Sequence, residues 1–138
     1  MRVSQRVDYA LRTLLVLASQ QGDGFVAAGD LADRLNFPRR FVEQQITELA
    51  RAGIVRSRRG ASGGCALARP ADAITALEVV EAIQGAAFDI PHHADSAVTE
   101  MWEAVQGSAE SVLAATTLAS LVAKQRTLDS ARVAFYDI

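Results

Sequence analysis

Apolar residues at Val7, Ala10, Leu11, Leu14, Leu15 and Ala18 recur at helical spacing and predict a first helix with one buried stripe. Ser4 is placed to cap its start, and Gln21-Gly22-Asp23-Gly24 stops it. Phe25-Val26 is long enough for one rung of strand. A second helix is expected from Ala28 to Leu35, with Ala28, Leu31, Ala32 and Leu35 inward. Asn36-Phe37-Pro38 then breaks the pattern, because Asn tolerates the left-handed conformation and Pro can open the next helix. That third helix runs from Pro38 to about Ala52, with Val42, Ile46, Leu49 and Ala50 inward and Gly53 closing it.

Two short helices, a tight break and a second helix with a polar outer face form a helix-turn-helix pattern. The next fifteen or so residues make the pattern more specific. Ile54-Val55 and Ala66-Leu67-Ala68 are short apolar strands around Ser57-Arg58-Arg59-Gly60-Ala61-Ser62-Gly63-Gly64-Cys65. The stretch predicts a hairpin with arginines at its tip and glycines that allow tight turning and close approach. The predicted fold is therefore mostly α with a small β-hairpin wing, a winged helix-turn-helix followed by a long dimerisation helix. The chain is expected to divide into 1–84, a winged helix-turn-helix of the kind that binds DNA, 85–95, a loop, 96–125, helices that would serve dimerisation, and 126–138, a C-terminal tail.

In the second half, Thr75-Ala76-Leu77-Glu78 has the form of a capping box and opens a fourth helix ending at Gly85. A long helix is expected from about Ser96 to Ala114, bending at Gly107-Ser108. Its Val98, Met101, Trp102, Val105, Val112 and Leu113 have no evident partner in a domain this small, so dimerisation is the simplest way to bury them. The competing readings are an intradomain core helix and, for Trp102, a core anchor or the lining of an effector pocket. Thr117 caps a last short helix with Leu118, Leu121 and Val122; the segment from Arg126 is expected to be a tail.

Charge changes the picture more than composition does. The formal net charge is −2, but residues 1–69 hold eleven arginines against six acids, a net +5. Residues 70–138 hold three cations against ten acids, a net −7. The front half is built to meet a polyanion. All its cations are Arg, which favours planar, bidentate contacts to phosphate or guanine. On the outer face of the third helix Arg40, Gln44, Thr47 and Arg51 align, flanked by Arg39 and Glu43. Arg matches guanine, Gln adenine, Glu cytosine and the Thr methyl thymine. Arg40, Glu43 and Gln44 are assigned to bases, and Arg39, Thr47 and Arg51 to bases and phosphates. Arg58, Arg59 and Gly60 form the wing tip that enters the minor groove or meets the backbone. The competing reading is a solvated helix face and a surface loop.

No apolar run approaches the roughly 18 residues a membrane span needs, and no signal peptide is evident, so a cytoplasmic protein is expected. One cysteine excludes an intrachain disulfide and multi-thiolate zinc sites. Phosphate-binding glycine motifs and nucleophile elbows are missing, so no enzymatic activity is assigned.

These residues together resemble the Rrf2 family of bacterial transcription regulators. The resemblance rests on Asp8-Tyr9-Ala10-Leu11-Arg12, Leu31-Ala32, Phe41-Val42-Glu43-Gln44 and Leu49-Ala50-Arg51-Ala52-Gly53-Ile54-Val55. Its hallmark is Ser57, Arg59-Gly60, Gly63-Gly64 and Leu67-Ala68; Ile74-Thr75, Val79-Val80 and Thr117-Leu118-Ala119 match the later helices. It implies a homodimeric repressor that binds double-stranded DNA at near-palindromic operators. The third helix would read the major groove and Arg59 enter the minor groove, with Arg2, Ser4 and Tyr9 near the phosphates.

Two departures stand out. Many members hold an iron–sulfur cluster through three cysteines before the long helix; here Phe88 to Glu100 contains none. Asp8, which stands where some relatives add an acidic ligand, has nothing to complete, and no cluster or other cofactor is assigned. Cys65 replaces the usual aromatic after the paired glycines. As a redox sensor it would need exposure to the arginines that lower its pKa; otherwise it is a small apolar filler. His92 and His93, with Asp89 and Asp95, could hold a transition metal, although side chains of adjacent histidines diverge. A protein-docking winged helix and a thiol- or metal-responsive regulator switching through Cys65 or His92/His93 are the alternatives. No effector is identified.

Overall fold

A computed structural model describes residues 3–20, 24–61, 63–90 and 96–136. Helix α1 spans Gln5–Ser19 and begins as expected, with the Ser4 side chain accepting from the Arg6 amide. Its Ala10, Thr13 and Leu14 are completely buried. Helix α2, Ala28–Leu35, ends on Asn36, whose φ of 57° is the left-handed turn that re-aims the chain. Helix α3, Arg39–Arg51, buries Val42, Gln45, Ile46 and Leu49. Gly53 (φ 75°) then lets the Ile54 amide return to the Leu49 carbonyl at 3.0 Å.

The wing comes immediately after. Strands β1 (Val55–Arg58) and β2 (Gly64–Leu67) pair antiparallel, with Val55 opposite Leu67 and Arg58 opposite Gly64. The strands reach further than their apolar residues alone suggest, and Arg58 ends a strand while Arg59 starts the tip. The expected rung at Val26 is present: Val26 and Cys65 exchange two backbone hydrogen bonds of 2.9 Å. This bridge sews the wing to the loop before α2.

One 3₁₀ turn, Ala71–Ala73, leads to α4, Ala76–Gln84, where Thr75 accepts from the Glu78 amide as its cap. Helix α5, Ala97–Ala115, runs without interruption through Gly107. The core gathers Leu14, Leu31, Val42, Leu49, Ile54, Ile74, Val79 and Leu118 between α1–α4, the wing base and the last helix.

That last helix corrects two expectations. Helix α6 spans Leu118–Tyr136, so the short helix and the tail from residue 126 are one element. Its first turns also belong to the winged domain. Leu118 is fully buried and Val122 nearly so, against α1, while the Leu118 amide and the Thr116 carbonyl bond Ile74 and Ala76 at the start of α4. Among the described residues, no helix is long and apolar enough to cross a membrane.

Candidate nucleic-acid interface

Helix α3 is held from behind. Arg6 Nη2 reaches both carboxylate oxygens of Glu48 at 2.7 Å, and the buried Gln45 donates to the Arg6 carbonyl at 2.9 Å. The rings of Tyr9 and Phe37 stack at 4.1 Å, and Phe41 meets Tyr9 edge-on at 5.4 Å. This aromatic triad locks α1 to the α2–α3 turn and so sets the direction of α3. None of these braces was legible as a pair in the sequence, because Arg6 and Glu48 lie far apart along the chain. Tyr9 is thus largely a structural pin; its hydroxyl accepts from Gln5 at 2.6 Å. Ser4 serves as a helix cap, and Arg2 lies outside the described residues.

The face of α3 turned away from these braces is open. Arg39, Arg40, Glu43, Gln44, Thr47 and Arg51 are all exposed. Arg39 and Glu43 pair at 3.1 Å along the helix, and the Thr47 hydroxyl donates to the Glu43 carbonyl, leaving the threonine methyl as its outward chemistry. Arg40, Arg51 and Arg59 make no ion pair among the described residues. Arg58, Arg59, Gly60 and Ala61 are exposed along the wing, and Gly60 takes a φ of 106° to turn the tip.

Cys65 lies on the other side of the wing. It is fully buried, and burial pushes its thiol up to about 11. The arginines do not reach it to lower that value; of the two readings the sequence left open, the side chain takes the place of the small apolar filler, in the core beneath the hairpin. A shift from 9 to about 11 cuts the thiolate fraction near pH 8 about 100-fold. Native protein should therefore react with Ellman's reagent about 100-fold more slowly than urea-unfolded protein. Comparable rates would show that the thiol is open to solvent.

On α5, Val98, Met101 and Val112 are exposed, while Trp102, Val105 and Leu113 are half-buried and Leu113 packs on the core. Val112 also borders an almost wholly apolar groove of about 420 Å³, between α1, α4 and α5, with Val3, Leu11 and Phe88.

Known proteins share this arrangement. A family model described as Rrf2, iron-dependent transcriptional regulator, matches residues 3–124. The chain belongs to the Rrf2 family. The HTH-type transcriptional regulator CymR of Bacillus subtilis is 31% identical over 123 residues, covering 88% of this chain and 89% of CymR. The solved structure of B. subtilis CymR, that organism's global cysteine regulator, superposes with a TM-score of 0.83 at 30% identity, over 90% of this chain and 98% of CymR. IscR of T. potens gives 0.78 at 31% identity, over 91% and 88%. This Rrf2 chain is accordingly a DNA-binding, winged-helix transcriptional regulator, and its relatives are regulators rather than enzymes.

The cysteine content of this chain does not fit a thiolate-held form of the iron in the family description. A thiolate-held cluster needs several cysteines, and the single one is sealed under the wing. The Asp8 carboxylate is engaged by Arg12 Nε at 2.8 Å, a contact that raises the Arg12 pKa. No three His, Cys, Asp or Glu side chains come together among the described residues. His92, His93 and Asp95 lie outside those residues, and Asp89 is exposed.

Proposed function

We propose that this Rrf2 protein is a cytoplasmic homodimeric repressor that reads a near-palindromic operator without an iron–sulfur cluster. One observation carries the reading: all six nominated side chains of α3 are exposed on the face opposite its braces, beside an exposed arginine wing. Arg40, Glu43 and Gln44 read bases in the major groove. Arg39, Thr47 and Arg51 divide between bases and phosphates, and Arg58 and Arg59 serve the minor groove and backbone. The apolar stripe of α5 supplies the two-fold contact that presents two such faces at once.

The test begins by selecting bound duplexes from a random pool. On the recovered duplex, Arg59→Ala should weaken binding by about 1–3 kcal/mol. Wild-type affinity should fall about 10³-fold between roughly 50 and 200 mM salt, as counterions released from several phosphates demand. An affinity indifferent to salt and to Arg59 would instead fit a winged helix that docks a protein.

A further inference from the structure

We infer that Phe25, outside both the helix-turn-helix and the hairpin, is a positioning residue for the wing arginines. This rests on the proposed DNA-reading role of the wing. The Arg58 guanidinium carbon lies 4.0 Å from the centre of the Phe25 ring, and that of Arg56 lies 5.5 Å away. Both are within the range of a cation–π contact, and Arg58 is at stacking distance.

The register explains why these three side chains meet. Val26 bridges the free edge of β2 at Cys65, so the wing is locally three strands wide: the Val26 rung, β2, then β1. Side chains alternate across such a sheet. Val26, Cys65 and Val55 face the core and are buried. Phe25, Arg56 and Arg58 therefore share the outer face. Between them on β2 stand only Gly64, opposite Arg58, and Ala66, opposite Arg56. With no large side chain on the middle strand, the arginines of β1 reach across it to the ring. Ala66 is only 3% exposed although it lies on the outer face, so that face is covered, in part by Gly24, where an added Cβ would come within 3.7 Å of the Ala66 Cβ.

An arginine at a hairpin end loses considerable rotamer freedom when it enters a groove. A ring already in contact with the guanidinium removes part of that loss before DNA arrives. Arg59, one residue further, lies beyond the strand and takes its direction from the strand that Arg58 ends.

The experiment measures affinity for the duplex recovered with wild-type protein, using Phe25→Leu, Phe25→Tyr, Arg58→Ala and the Phe25→Leu/Arg58→Ala double variant. Thermal melting monitors folding. Phe25→Leu keeps an apolar side chain but loses the ring, and should weaken binding about threefold to tenfold. Phe25→Tyr should bind like wild type. In the Arg58→Ala background Phe25→Leu should have little further effect, since the two act through one contact. Equal losses in both backgrounds would mean Phe25 only supports the fold, and tighter binding by Phe25→Leu would mean the ring holds Arg58 away from DNA; either overturns the inference. An Arg58→Ala loss with Phe25→Leu unchanged would do so while leaving the DNA reading standing. If Arg58→Ala and Arg59→Ala both bind as wild type, the DNA reading of the wing falls first and this inference with it. Should Phe25→Leu fail to fold, the Arg58 Nε–H resonance of the wild-type protein decides, because a stacked ring shifts it upfield and an unshifted resonance overturns the contact.

Discussion

Gly64→Ala is expected to be among the most damaging single substitutions in the chain, lowering unfolding free energy by about 2–5 kcal/mol. A Cβ at this position would meet the Val26 carbonyl oxygen at 2.3 Å and the Ala27 amide nitrogen at 2.8 Å, both backbone atoms that no rotamer can move aside. The residue also takes a φ of 138°, where side chains are strained whatever the space. Relief requires Val26 to withdraw, which breaks the two hydrogen bonds with Cys65 and opens the core under the wing. The companion Gly53→Ala separates the causes. Gly53 has a positive φ of 75° but nothing within 4 Å of a Cβ, so it should cost only about 1 kcal/mol of conformational strain. Urea unfolding of the two variants measures the difference. Equal losses would show that Val26 does not lie against the wing. Operator affinity should fall with Gly64→Ala even well below its melting temperature, since the hairpin is then tethered at its base alone.

The same bridge shows what local reading could and could not reach. Helices α1 to α4 were legible because their signals are short-range: the Ser4 and Thr75 caps, the left-handed Asn36, Gly53 and the three-to-four spacing of core residues. The outer face of α3 was legible for the same reason, since a single period settles which residues turn away from Val42 and Leu49. The supports behind that face were not. The Arg6–Glu48 pair, the Tyr9–Phe37 stack and the Phe25–Arg58 contact join segments far apart in sequence, and each depends on how elements cross.

Helix α6 was underestimated for a different reason. From Lys124 onward its apolar residues follow no single stripe, because that half is exposed all round, with only Gln125, Arg126 and Asp129 bordering an open groove beside α1 among the described residues. Periodicity reports burial, so it falls silent where a helix is solvated. The usable signal was the absence of Gly and Pro after Thr117 in a run rich in Ala, Leu, Lys, Gln and Arg, supported by Gln125 donating to Asp129 one turn on at 2.9 Å. Cys65 required the strand register, which pairs it with Ser57 on the inward side.

The stripe on α5 leads to the other large effect. Met101→Glu/Val112→Glu should raise the dissociation constant of the proposed dimer by about 10³-fold or more, because each carboxylate would be taken from water into an apolar contact with no cationic partner. A two-fold interface carries every substitution twice, which multiplies the penalty. The single chain should tolerate both changes. Val112 is 67% and Met101 49% exposed within it, and surface replacements of that kind cost little. The melting temperature at low protein concentration therefore separates a broken dimer from a broken fold. Sedimentation velocity should show monomer where wild type shows dimer. DNA affinity should drop far more than for any single contact residue, since a lone winged domain reaches only one half-site and gains nothing from its tethered neighbour. A monomer that still binds the full duplex as tightly as wild type would mean that recognition does not depend on two copies. A persistent dimer would move the contact away from α5, and the uncovered apolar residues at the end of α6, Val133, Phe135 and Tyr136, would be the next surface to charge.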